Sequence, residues 1–281
     1  MKKSSILLLF ILSYATCFAQ LTEIPWNDYI RTLKPSVPLI QIISGTEIIH
    51  GTGICVFYNN IPFIITCEHV VAKKDSNNIT IDYAKNITSY FNTKENKTIN
   101  FPMILLYANE KEDFAILGFY NTPDITDKLS QSQILLIQNE LWQTIDSLEE
   151  GANILFIGYP MNLWEGKQNY PLSRKGMISQ IIKDKKRILI DGFVQHGHSG
   201  SPVFLISSNN NLPPTWYYKL IGITTSFPSE FGEIYKTKYS KVDSLIPLLN
   251  PGFTIVTPMD EIIIAFDDVI NKELKKIKKK K

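Results

Sequence analysis

The sequence predicts an all-β protein, built as barrels or sandwiches, on three observations. Short apolar runs recur along the chain: Val37–Ile43, Gly53–Phe57, Phe63–Thr66, Ile104–Tyr107, Ile116–Phe119, Ile154–Ile157, Ile188–Ile190, Val203–Ile206, Leu220–Thr224 and Thr254–Val256. Connections rich in Asn, Gly, Pro and Lys separate them, and a sustained helical period occurs only near the carboxyl end. At 281 residues and 44% hydrophobic content, the chain can bury one large core or two small ones. No internal repeat stands out.

Taken in order, the elements begin with Lys2 and Lys3, the apolar run Ile6–Ile11, and the small residues around Cys17-Phe18-Ala19 before Gln20. This reads as a cleaved signal peptide over 1–19, with a lead-in over 20–35; its apolar core is too short for a transmembrane span. Tyr14-Ala15-Thr16 is a poor match to the residues that usually precede a lipidated cysteine. The expected location is therefore periplasmic or secreted, with no stable membrane insertion.

Two apolar runs flank Tyr58-Asn59-Asn60, which predicts a β-hairpin with His69 just past its second strand. A turn there pairs Cys55 with a residue near Ile64 and leaves Cys67 out of disulfide reach, so two buried thiols are expected. A Cys67–His69 nucleophile pair is disfavoured, because both lie on one short segment and Cys67 should face the barrel. The stretch Lys73–Asn100 reads as a polar loop with N-x-[ST] matches at Asn78, Asn86 and Asn96. Asp113 opens the next short strand. In Gly197-His198-Ser199-Gly200-Ser201-Pro202, a serine sits between glycines that let the backbone turn tightly, before an apolar strand. Such a loop can aim the amides of Gly197 and Ser199 at one point.

Residues 20–281 carry 27 basic and 27 acidic side chains, because the segment 1–19 contributes only Lys2 and Lys3 to the whole-chain totals of 29 and 27. Seven lysines and one Glu fall in the last ten residues, so the body is about six charges negative. Thr257-Pro258-Met259-Asp260 predicts a helix start with a Thr257 cap, followed by Ile262, Phe266, Ile270, Leu274 and Ile277 at helical spacing. The expected arrangement is a terminal helix on the second barrel with a frayed Lys-rich tail; weak contact of that tail with an anionic surface is the alternative. No aromatic-interleaved basic patch points to nucleic acid, and no cofactor motif is present. His196 and His198 alternate on a tight loop with no third ligand in view, so no metal site is assigned.

A Gly-x-Gly strand leading to Thr66-x-x-His69, Asp113-x-Ala115-x-Leu117, and Gly197-x-Ser199-Gly200-x-Pro202 occur in that order. Ile157-Gly158-Tyr159-Pro160 and Gly252–Pro258 agree with them. Over residues 36–264 the chain resembles the chymotrypsin-like (trypsin-fold) serine proteases, nearer the glutamyl endopeptidases and high-temperature-requirement proteases than the animal digestive enzymes. The resemblance implies two six-stranded antiparallel β-barrels, 36–127 and 150–257, a linker over 128–149, and a carboxy-terminal helix and tail over 258–281. It implies that His69, Asp113 and Ser199 are catalytic, that Gly197 and Ser199 form the oxyanion hole, and that Thr225 helps orient Asp113. Substrate-pocket walls are expected at Phe193–His196 and Thr224–Phe227, with Gln195, His196, Thr224, Thr225 and Ser226 as binding residues. No acid lies in either wall, which argues against cleavage after Lys or Arg. Glu or a small polar side chain is compatible, although a threonine stands where glutamyl endopeptidases place a histidine.

His198 replaces the aspartate that captures a new amino terminus in enzymes activated by trimming, so no such zymogen switch is expected. The expected activity is endopeptidase cleavage of protein or peptide substrates. A catalytically silent binding module and a serine esterase are the rivals.

Overall fold

The computed structural model describes residues 26–44, 47–75, 79–95, 97–122, 124–160, 170–208, 216–226, 230–231, 248–249 and 252–279. The proposed signal peptide, Asn78, Asn96, Phe227 and most of the Met161–Leu172 and Ser207–Tyr217 insertions lie outside them. A short helix α1 (Trp26–Leu33) leads into the first barrel, made of β1 (Leu39–Ser44), β2 (Glu47–Thr52), β3 (Ile54–Tyr58), β4 (Ile61–Thr66), β7 (Ile87–Asn92), β8 (Thr98–Asn109) and β9 (Phe114–Phe119). β5 (Ala72–Lys74) and β6 (Thr80–Tyr83) form a side hairpin.

β2 and β3 are two halves of one bent strand. The first half pairs with β1 and the second with β4, while β4–β9–β8–β7–β1 completes the circuit. Six strands therefore wrap the first core, counting the bent one once. The bend falls at Gly53, where a Cβ would press on Ile64 at 2.7 Å and Ile40 at 3.1 Å. The β3–β4 hairpin turns at Asn59 and Asn60, both at positive φ (48° and 64°), as a two-residue turn with mirror-image twist requires. Cys55 pairs with Ile64, as the hairpin register predicts, and Cys55 and Cys67 are both buried free thiols.

The second barrel is closed by six strands in the order β11 (Asn153–Gly158), β12 (Leu172–Ile182), β13 (Arg187–Asp191), β18 (Phe253–Pro258), β15 (Trp216–Ser226) and β14 (Pro202–Ser208). Ile154, Phe156, Ile178, Ile188, Ile190, Val203, Ile221 and Val256 fill it. Between the barrels runs helix α3 (Ile125–Gln131), following the one-turn helix α2 (Glu68–Val71) earlier in the chain. Next comes strand β10 (Ile137–Gln138), which pairs in parallel with β3, and Trp142 bridges to Leu220. The expected linker is thus a strap bonded to both halves. Beyond β15, β16 (Glu230–Phe231) and β17 (Leu248–Leu249) pair with each other.

Two local expectations are corrected. Lys73–Asn100 is not a loop: it supplies β5, β6, β7 and the start of β8, with Ile87, Ser89 and Phe91 buried on alternate positions. The terminal helix α4 (Met259–Lys279) packs against β15 and β18 of the second barrel, as expected, and reaches across to β8 of the first barrel and to the strap, where Phe266 meets Tyr58, Phe63 and Trp142 at centroid distances of 5.0–5.3 Å. Its apolar face fits that aromatic slot, and Ile262, Ala265 and Val269 join the same core. Thr257 does not cap it; its hydroxyl donates to the carbonyl of Glu112 at 2.7 Å.

Candidate active site

The site lies where the barrels meet. α2 is a single turn that starts after Cys67 and carries His69 on the rim of β4. The imidazole Nδ1 faces the Asp113 carboxylate at 2.8 and 3.0 Å, and the His69 backbone amide donates to the same carboxylate at 3.0 Å. Nε2 lies 2.8 Å from the Ser199 hydroxyl. Residues from three separate stretches, 44 and 130 positions from His69, thus converge on one imidazole.

Asp113 occupies a left-handed backbone position (φ 53°), which aspartate tolerates better than bulkier side chains. The turn holding it is pinned across the barrels. Glu112 is 6% exposed, forms an ion pair with Arg187 of β13, and lies 3.1 Å from the Lys111 ammonium. Its amide donates to Asn109 Oδ1 at 3.1 Å and its carbonyl accepts from Thr257. Burial alone would raise the Glu112 pKa, but Arg187 and Lys111 outweigh it and hold the carboxyl below its usual range.

The nucleophile loop is held by threonines from both barrels. Thr52 donates its amide to Ser199 O at 2.8 Å and its hydroxyl to Gly197 O at 2.7 Å, and Thr66 donates to Thr52 O at 2.7 Å. From β15, the Thr224 hydroxyl donates to His198 O at 2.7 Å, and the Ser201 amide donates to the same carbonyl at 2.8 Å. These bonds turn the carbonyl of the 198–199 peptide inward, so its amide, on Ser199, faces the opposite way, toward the cleft. The amides of His198, Gly200 and Ser201 each donate to backbone carbonyls, whereas those of Gly197 and Ser199 donate to no described group. Gly197 sits at φ 94°, a conformation that glycine reaches without strain. Two unused donors, on either side of the His198 amide and beside a hydroxyl, are what stabilising an oxyanion demands. Thr224→Val, which keeps the volume and removes the donor, is expected to lower kcat about tenfold with KM little changed. Steady-state kinetics would check this, with Thr224→Ser restoring the rate.

The remaining sequence-derived residues separate. His196 and Ser226 are exposed and Gln195 is half-buried. Thr224 is turned inward as a strut, and the Thr225 hydroxyl donates to Ile255 O at 3.3 Å instead of to Asp113. A register shift between Thr224 and Ser226 against β18 explains that rotation. Arg174 donates to Phe193 O at 3.2 Å, which ties down the opposite wall.

His198 is 1% exposed and points away from the cleft, its ring 6.0 Å from that of Phe156. Its Nδ1 accepts from the Gln195 amide at 3.2 Å, so the imidazole orders the loop from inside. Burial, reinforced by the Arg174 charge, holds its pKa down at about 4. The unfolded chain binds this proton near the usual 6.5 and the folded chain does not. Stability associated with His198 is therefore fully present above that value and is lost as pH falls toward 4, by about 3 kcal/mol in all. Urea unfolding at pH 7 and pH 4.5 should show His198→Gln losing less stability over this window than wild type.

Sequence reading placed Thr224 in the pocket wall and not as a support of the loop, and it passed over Thr52, Thr66, Glu112 and Arg187 as parts of this site. Threonines within apolar strands look like ordinary strand residues, and an inter-barrel ion pair leaves no local pattern.

Comparison with known proteins agrees with the architecture. Residues 51–211, more than half the chain, match the family model of the trypsin-like peptidase domain. No curated protein matches the chain by sequence. Among solved structures, the chain is similar to the serine endoprotease from Yersinia pestis, with TM-score 0.54 and 18% identity over 89% of this chain and 68% of that one. It is similar to the HtrA-type protease AlgW bound to a tripeptide, with TM-score 0.54 and 15% identity over 87% of this chain and 64% of that one. The Rv3671c protease from M. tuberculosis in its active form aligns with TM-score 0.50 and 18% identity over 83% and 80%. At these identities the structures speak for the fold, and the chain spans about two thirds of the length of the first two. Barrels, interface and family match converge: the chain belongs to the trypsin-like peptidase family and is a serine endopeptidase.

Proposed function

We propose that the chain is an exported endopeptidase that cleaves peptide bonds through Ser199, His69 and Asp113 by way of an acyl-enzyme. The observation that carries this reading is the single imidazole bonded to a carboxylate on Nδ1 and 2.8 Å from a serine hydroxyl on Nε2. A serine hydroxyl is a poor nucleophile until a base takes its proton. His69 Nε2 removes that proton as Ser199 Oγ attacks the scissile carbonyl. Asp113 holds the Nδ1–H tautomer and stabilises the imidazolium. The carbonyl oxygen, now an oxyanion, accepts from the amides of Gly197 and Ser199. His69 then protonates the leaving amine, and water, activated by the same imidazole, releases the acyl group.

The first barrel (36–127) supplies the acid–base pair and the second (150–257) the nucleophile, so substrate lies in the groove between them. Gln195, His196 and Ser226 form the rim, with Thr224 and Thr225 behind it; the absence of acids there favours a Glu or small polar side chain over Lys or Arg. The loop order supplied by His198, Arg174 and the threonines supports activity without amino-terminal capture. Export rests on the signal-like segment 1–19, and no helix among the described residues is long and apolar enough to cross a membrane. The Lys-rich tail offers weak contact with an anionic surface.

Stopped-flow hydrolysis of activated ester and peptide substrates tests the mechanism. A burst of leaving group equal to the enzyme concentration is expected with the ester. Linear release at no more than the uncatalysed rate would remove the acyl-enzyme reading.

A further inference from the structure

Beneath the His69–Asp113 pair lies a third group that the hydrolytic chemistry does not use. Cys67 is fully buried, forms no disulfide, and donates its thiol to the carbonyl of Thr224 at 3.2 Å. Its sulfur, a ring nitrogen of His69 and a carboxylate oxygen of Asp113 all lie within 4.8 Å of one another. Asp113 is sparsely satisfied for a carboxylate in such a place. Its described hydrogen-bond partners are the amide and Nδ1 of His69, and the Thr225 hydroxyl that was expected to bond it is turned to Ile255. Lone pairs on the carboxylate are therefore available beside the sulfur. His69 and Asp113 keep 36% and 25% of their side-chain surface, so an ion has a path from solvent that Cys67 alone would not provide.

We propose that Cys67 Sγ, Asp113 and His69 Nδ1 form a binding site for a thiophilic divalent cation, zinc foremost, and that occupancy switches the peptidase off. A thiolate, an imidazole and a carboxylate are the donor set zinc prefers, with bond lengths near 2.3, 2.0 and 2.0–2.2 Å. Ligands drawn from within 4.8 Å of one another need only modest side-chain movement to meet such an ion. Solvent or substrate water fills the fourth position.

The switching step balances in protons. The Cys67 thiol releases its proton to solvent as the sulfur binds the metal. His69 gives up its Nδ1 proton to coordinate the ion, and the neutral imidazole carries its one proton on Nε2 instead. Nε2 is the atom facing Ser199 Oγ, and once protonated it has no lone pair to accept the hydroxyl proton. The cation also takes the Asp113 oxygen that had fixed the tautomer. Two of the requirements for base catalysis are thus removed by one ion, without blocking the cleft. This consequence for hydrolysis rests on the proposed roles of Ser199, His69 and Asp113; the binding does not.

The test separates the two. Zinc and cadmium are titrated calorimetrically into full-length Ser199→Ala protein, and cadmium–thiolate absorption in the ultraviolet is recorded. The proposal expects one ion per chain with a thiolate band. Both are lost, or affinity falls at least about tenfold, in Ser199→Ala/Cys67→Ala and in the more conservative Ser199→Ala/Cys67→Ser. Ser199→Ala/His196→Ala retains both. Unchanged binding in the Cys67 variants, or binding that depends on His196, overturns the site in favour of a cleft-side histidine pair. Absence of any ion at equimolar zinc overturns it outright.

A second arm uses the chain with Ser199 intact. Zinc is expected to suppress hydrolysis reversibly, with chelator restoring the rate, and Cys67→Ala should be at least about tenfold less sensitive relative to its own metal-free rate. Zinc binding at Cys67 without loss of hydrolysis would contradict the switch while leaving the site standing. Absence of hydrolysis in every sample, with binding intact, would count against the peptidase mechanism alone.

Discussion

Ser199→Ala is expected to lower kcat for peptide hydrolysis by about 10,000-fold or more, with KM close to wild type and the fold intact. The magnitude follows from what the hydroxyl does. It supplies the attacking oxygen, and no neighbouring group can take its place: Ser201 is buried, and Cys67 lies under the imidazole with its sulfur against Thr224. Removing the oxygen leaves only the two amides and the cleft to act on a water molecule. The loop should keep its shape, because its anchors to Thr52 and Thr224 run through backbone groups that the substitution does not touch. Circular dichroism and the thermal midpoint would confirm that. A loss of less than tenfold would mean that hydrolysis proceeds by another group.

Gly200→Ala should be nearly as damaging to activity, and for a different reason. Gly200 sits at φ 85°, where an L side chain is strained, and a Cβ there would overlap the carbonyl oxygen of Thr52 and press on the Thr66 hydroxyl at 2.7 Å. The carbonyl is held by the Thr66 hydroxyl and its neighbouring amide bonds Ser199, so it has little room to retreat. We expect about 2–4 kcal/mol of destabilisation, read by urea unfolding, together with a displaced Ser199 and loss of most activity. An alanine variant of wild-type stability and rate would show that the two barrels do not grip this loop as tightly as described.

How much of this was legible beforehand depends on burial. Strands buried on both faces or packed into the barrel, such as Ile154–Ile157 and Val203–Ile206, announce themselves as continuous apolar runs. β12 escaped because only Leu172, Met177-Ile178 and the closing Ile181-Ile182 are apolar among lysine, arginine, serine and glutamine; it lies at the surface over most of its length. β7 alternates buried and half-buried residues in a polar stretch, which reads as loop when the threonine and serine are counted as solvent-facing. The convergence of His69, Asp113 and Ser199 was legible because each carries a local motif in a fixed order. Thr225 shows the limit of such transfer: a bulge of one residue, invisible in sequence, turned its hydroxyl from Asp113 to Ile255. The helix α4 was foreseen by its period and its contact with the second barrel was expected, but its reach to the first barrel and the strap runs through Tyr58, Phe63 and Trp142, three aromatics distant in sequence.

The central claim is that Ser199 is activated by His69 across the barrel interface. Intact-mass analysis of the purified protein after treatment with a fluorophosphonate probe, beside Ser199→Ala, tests it most directly. The account predicts a single adduct on the wild-type chain, mapped to Ser199, and none on the variant. A correctly folded wild-type chain that takes up no probe, or one whose adduct persists in Ser199→Ala, would contradict it and point to a trypsin-like fold serving as a binding module.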